Sequence, residues 1–220
     1  MAKFSAYYPK LMRNEGDYCH NLNDTGGETY RGISRVHHPE WSGWKTINAV
    51  KEKHNFKSPV AKANWAILNK ELRANHELSA NIEKFYQALY WDTLRLNEVD
   101  SQSIAEQLAD HGVNAGTSRP AKMLQFLLND QYEAKLRVDG KIGPQTIKTL
   151  NEVLPRFFYA DLVEMRQAFY YYLADSPISS TPNMPGWRDF LHNTLLLRPR
   201  AKNKGFLKSW LSRTREAFVS

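Results

Sequence analysis

Apolar residues along the chain recur mostly three or four positions apart, the spacing of one helix face, and residues with helix-start chemistry stand at the boundaries. The first helix is predicted over residues 2–14. Ser58 followed by Pro59 reads as an N-cap and first-turn proline opening SPVAKANWAILNKEL, where Val60, Trp65, Ile67, Leu68 and Leu72 fall on one face. Further helices are predicted over about 79–97, 101–112 and 118–129, the last with Met123, Leu124, Phe126, Leu127 and Leu128 as a broad apolar face. Pro144 opens a helix running to about 153, Pro155 opens one through FFYADLVEMRQAFYYYLA, and Pro185 opens one ending near 197.

Two stretches break this pattern. Residues 21–34, NLNDTGGETYRGIS, crowd Asp, Gly-Gly and Thr together as a turn or short hairpin does, and Val138 to Gly143 read as a tight turn. DSPISSTPNMP, residues 175–185, has the composition of an exposed loop. No internal repeat is found. The predicted class is mainly α with a short irregular or β-hairpin excursion after the first helix, and any division into two lobes falls near residue 100 or 115.

Composition narrows the class. The 220 residues are 42% hydrophobic and 24% charged, enough apolar material for a core and unlike a disordered chain. The one cysteine, Cys19, excludes an intrachain disulfide, and its spacing to His20, His37 and His38 matches no standard metal-ligand pattern. The longest apolar runs, such as Leu195 to Leu197, fall far short of the roughly 20 residues that span a bilayer, so no stable membrane insertion is expected. The start, MAKFSAYYPKLMRNEGDY, shows no ordinary export signal. A formal charge of +7 favours an anionic partner. A nucleic-acid binder would fit that charge, but no docking motif supports it, and nucleic acid is not an expected partner.

The chemistry concentrates in the glycine-rich excursion. Glu15 stands where the first helix ends at Gly16, Asp24 follows nine residues later, and Thr29 five after that. Paired carboxylates with a hydroxyl are what glycoside hydrolysis uses: one acid protonates the departing oxygen, and a second carboxylate activates water or stabilises the oxocarbenium-like transition state. Caps and turns also use these residue types at such places, and Asp24 can equally bond the amides of Gly26 and Gly27.

The runs Asn14-Glu15-Gly16-Asp17-Tyr18, Asp24-Thr25-Gly26-Gly27-Glu28-Thr29 and Gly32-Ile33-Ser34 resemble the signature of family 108 of the glycoside hydrolases, N-acetylmuramidases with a lysozyme-like helical fold. The likeness continues in order through FYQALYWD (85–92), IAEQLADHGVNAG (104–116), RPAKMLQ (119–125), VDGKIGPQTIKTLN (138–151) and FLKSWLSR (206–213). From about 113 onward the chain resembles the helical peptidoglycan domain that accompanies these enzymes. The resemblance therefore implies a muramidase region over 1–112 and a peptidoglycan-binding-like region over 113–220.

It further implies that Glu15 is the general acid and that Asp24 and Thr29 hold and polarise a water on the opposite sugar face, an inverting arrangement. Tyr18, Gly27, Tyr30, Trp91, Asp110 and Asn114 become candidate substrate-binding residues. Trp91 also suits a helix core, and Glu106 with Asp110 at i, i+4 also suit a solvated face. The expected partner is the peptidoglycan glycan strand, no cofactor is needed, and a holin-like pore or lysis would carry the protein from the cytoplasm to the periplasm or wall. One departure stands out: Asp17 occupies a position where the family usually has glycine. Its charge either helps to keep Glu15 protonated or points to solvent without effect, and a non-catalytic peptidoglycan-binding or secretion-accessory role is the competing reading. Residues 202–218 form a basic amphipathic pattern that fits packing against preceding helices or contact with an anionic membrane.

Overall fold

A computed structural model describes residues 1–21, 26–178, 182 and 184–219. The fold is mainly α: among the described residues ten helices accompany one small sheet. Contacts divide the chain into an N-terminal unit, Ser5–Ala88, and a C-terminal unit, Leu89–Ser220 with Met1–Phe4.

In the N-terminal unit, α1 (Phe4–Asn14), which belongs to it from Ser5 onward, leads into a three-stranded antiparallel sheet of β1 (Cys19–His20), β2 (Glu28–Tyr30) and β3 (Ile33–Ser34). Cys19 pairs with Thr29, and Tyr30 with Ile33. Three helices pack on one another behind it: α2 (Gly43–Lys53), α3 (Trp65–Ala74) and α4 (His76–Tyr86). Leu11, Ile47, Leu68, Leu72 and Leu78 are completely buried. Trp44, Ile47 and Lys51 bury one side of α2, a helix whose apolar spacing is short enough to be missed among its polar neighbours.

Two helix starts differ from the sequence expectation. Ser58 caps nothing: residues 58–61 precede a short 3₁₀ turn, Ala61 is extended, and α3 begins at Trp65. In the next helix Asn75, not Ser79, is the N-cap, its side chain accepting the Leu78 N–H at 2.8 Å. That helix also ends early. It passes into a wider π-turn over Gln87–Asp92, and Arg95 in the left-handed region closes the segment.

The C-terminal unit is built on α5 (Gln102–Ala115), which Ser101 caps and which is buried continuously from Ser103 to Gly112. Against it lie α6 (Ser118–Tyr132) and α8 (Pro155–Leu173), with α7 (Pro144–Glu152) on α6. Both prolines open their helices as expected. The helix expected after Pro185 is only α9 (Trp187–Asp189), followed by a π-turn to Thr194. The last helix, α10 (Lys204–Ser212), packs on α8, with Trp210 stacked on the Tyr170 ring at 5.5 Å.

Candidate active site

Glu15 is placed by the end of α1. Its N–H donates to the Leu11 carbonyl at 3.2 Å, extending the helical ladder by one residue, and the side chain is half-buried. Opposite it runs the two-residue turn joining β2 to β3. Arg31 and Gly32 both have positive φ, 48° and 75°, as a tight hairpin turn matched to sheet twist requires. The carboxyl lies directly on this turn: a Cβ built on Gly32 would stand 2.1 Å from Glu15 Oε2 and 2.6 Å from the Tyr86 hydroxyl oxygen. A side chain there would displace the Glu15 carboxyl and strain the turn. Tyr86, the last residue of α4 and almost completely buried, donates its hydroxyl to the Arg31 carbonyl at 2.7 Å.

The neighbouring charges are compensated. Asp17 is bound by Arg73, whose Nε donates to Oδ1 at 3.1 Å, and lies 3.4 Å from the Arg31 guanidinium. The Arg73 hydrogen bond, with the two positive charges, holds its carboxyl below the usual range against the effect of burial. Asp17 is thus an ion-pair partner that ties the segment after α1 to α3 and to the turn.

Tyr18 is buried. Its N–H donates to Asn69 Oδ1 at 3.0 Å and its hydroxyl to Glu28 Oε1 at 2.8 Å. Glu28, itself 6% exposed, also accepts from Arg35 Nε at 2.6 Å and pairs with Lys51 of α2. Burial opposes ionisation of Glu28, but bonds from Lys51 and Tyr18 and the charges of Lys51 and Arg35 outweigh it, so its carboxyl stays below the usual range. Arg35 lies 4.2 Å over the Trp44 ring. This cluster clamps β2 to α2.

Because strand residues alternate sides, Glu28 and Tyr30 point into the buried layer and Thr29 to the opposite side. Thr29 is half-buried, paired with Cys19 and Ser34, with its hydroxyl 3.5 Å from the Cys19 carbonyl. Tyr30 is 1% exposed and Tyr18 is 2% exposed, so both are core residues with no ring face for a sugar. Gly27 has φ 60°, a turn requirement, with Val36 against its open side. Asp24 lies outside the described residues.

The other three candidates belong to the C-terminal unit. Trp91 is wholly buried, edge-on to Phe4, and its indole N–H donates to Asn97 Oδ1 at 2.7 Å, which makes it core and not a glycan platform. Asp110 is not on a solvated face. It accepts from the fully buried Arg166 at 2.8 Å and from Arg213 at 3.0 Å. Asn114 is exposed and donates back to the Asp110 carbonyl at 2.7 Å. Sequence reasoning did not single out Tyr86, Gly32 or Arg73 as site residues; for Gly32 the close approach to Glu15 is a tertiary fact that the Gly-Ile-Ser run only hints at. No group of three His, Cys, Asp or Glu among the described residues is placed to hold a metal.

A half-buried carboxyl on a glycine turn, a small hydroxyl-bearing sheet and a helical frame suit acid-assisted hydrolysis, and the comparisons supply the class. The model of glycosyl hydrolase family 108 matches residues 8–116, and that of the predicted peptidoglycan domain matches 119–215. The chain belongs to glycosyl hydrolase family 108. It is a glycoside hydrolase whose second region supports peptidoglycan as the substrate. The solved structure of Brucella abortus SagA is similar over 97% of each chain, with 18% identity and a TM-score of 0.48, a likeness that carries no transfer of residues or activity. No curated protein matches. No helix among the described residues is long and apolar enough to cross a membrane.

Proposed function

We propose that the protein is an N-acetylmuramidase that hydrolyses the β-1,4 bond between N-acetylmuramic acid and N-acetylglucosamine, with Glu15 as general acid. The observation that carries this reading is the seat of the Glu15 carboxyl on Gly32 within the family-matched region. Two physical features suit it to acid catalysis. Glu15 stands at the C-terminal end of α1, where the aligned carbonyls favour an uncharged carboxyl over a carboxylate, and half-burial acts in the same direction. Glu15 gives its proton to the departing sugar oxygen, while Asp24 and Thr29 hold the water that adds to the anomeric carbon from the opposite face, Asp24 taking the water proton. The product then carries inverted configuration.

The positive charge of the chain draws it to a polymer rich in carboxylates, an attraction that salt weakens. Asp17 does not argue for an inactive accessory protein, because Arg73 and Arg31 compensate its charge. Action in the periplasm or wall, reached through a holin-like pore or by lysis, belongs to the same reading and rests on the family resemblance. The test is digestion of purified peptidoglycan by wild type and by Glu15→Gln, with mass spectrometry of the new ends. Wild type is expected to release fragments with N-acetylmuramic acid at the reducing end, and the folded variant none. Fragments ending in N-acetylglucosamine, or equal release by both proteins, would contradict the assignment.

A further inference from the structure

We propose that Tyr86 is a positioning residue for Glu15, acting through the backbone of the Arg31-Gly32 turn; the inference rests on the acid role proposed for Glu15. Tyr86 comes from α4, more than fifty residues further along the chain, and is 2% exposed. A phenol buried to that degree needs a hydrogen-bond partner, because an unsatisfied hydroxyl is costly inside a protein. The hydroxyl donates to the carbonyl of Arg31, at 2.7 Å. Arg31 is a bulky residue with φ 48°, a conformation such residues seldom adopt unless held.

The Arg31 carbonyl accepts the Tyr86 hydroxyl, while its guanidinium bonds Tyr30 and lies 3.4 Å from Asp17. The peptide that Tyr86 fixes is the one that presents Gly32 to Glu15. The Tyr86 oxygen and Glu15 Oε2 crowd the same side of the Gly32 Cα, so the hydroxyl that pins the turn also borders the space the acid occupies. A freed turn would let the floor beneath the carboxyl shift and water enter. Misplacement of a reacting group by a fraction of an ångström is enough to slow catalysis without changing substrate affinity. Better solvation would also favour the carboxylate.

The test is Tyr86→Phe, which keeps the ring and its edge contact with Phe85 and removes only the hydroxyl. Two measurements are made on wild type and variant: steady-state kinetics on soluble muropeptide oligomers, and a ¹³C NMR titration of the Glu15 carboxyl carbon. The expected result is a fall in kcat of about tenfold with KM within about twofold, together with a Glu15 midpoint displaced to lower pH. An unchanged Glu15 midpoint overturns the proposal, whether kcat stays at the wild-type value or falls only in step with the unfolding temperature. A displaced midpoint with unchanged kcat overturns the catalytic part. If wild type cuts no glycan, the muramidase reading fails on its own, and the NMR titration, which needs no turnover, still decides whether Tyr86 sets the state of Glu15.

Discussion

Asp110 in the C-terminal unit and Glu28 in the N-terminal unit are both buried carboxylates, each held by two cations, yet they hold different things. Asp110 joins α5 to α8 through Arg166 and to the segment after α10 through Arg213. Glu28 joins the three-residue β2 to α2 directly through Lys51 and to the residue after β3 through Arg35, which itself bonds Asn48 of α2. The first arrangement closes a helical core. The second braces a sheet too small to be stable alone, and that sheet carries the turn on which Glu15 rests. Glu28 and Asp110, each neutralised by cations, are therefore scaffold, and the proposed acid is instead a carboxyl placed on a glycine turn.

Asp110→Asn has the largest expected effect on stability, about 3 kcal/mol, because it leaves the fully buried Arg166 without its counter-charge; denaturant unfolding reads it. Glu28→Gln is expected to cost about 2 kcal/mol, since Lys51 is also buried but Arg35 partly reaches solvent. Its pH dependence follows from the depressed carboxyl: stability from Glu28 is complete above its ordinary value of 4.5 and is lost as pH falls through the lower folded value. The smallest effect is at His111, which is completely buried against Phe169, with neither ring nitrogen hydrogen-bonded.

Burial, aided by the charges of Arg166 and Arg119, holds the His111 imidazole neutral, well below its ordinary 6.5. The folded value of this base is depressed, so the unfolded chain takes up the proton first, and stability falls as pH drops below 6.5. His111→Leu should flatten the stability profile between about pH 6.5 and 5 while changing stability at pH 7.5 by less than about 1.5 kcal/mol. Unfolding curves collected across that range, for wild type and variant, check it. A profile that keeps its slope in the variant would assign the acid sensitivity elsewhere.

Local signals read some of this and miss the rest for identifiable reasons. Pro144 and Pro155 announce their helices because a first-turn proline loses no hydrogen bond. Ser58-Pro59 carries the same signal and misleads, because α3 takes its start at Trp65, whose indole N–H reaches back to the Val60 carbonyl at 2.9 Å. The spacing of Glu106 and Asp110 is equally consistent with a wet face and with a buried one. Arg166 and Arg213, 56 and 103 residues away from Asp110, decide it. Glu15 and the glycine-rich excursion are visible as a cluster, whereas Tyr86 enters the site only through the folding of α4 back onto the turn.

The most direct test compares Glu15→Gln with Asp110→Asn in one experiment, recording muropeptide turnover per folded molecule beside the unfolding free energy. Glu15→Gln is expected to lose turnover by at least about a hundredfold at nearly wild-type stability, and Asp110→Asn to lose stability while its folded fraction turns over within a few-fold of wild type. Turnover retained by Glu15→Gln, or abolished in folded Asp110→Asn, would place the chemistry elsewhere and contradict these assignments.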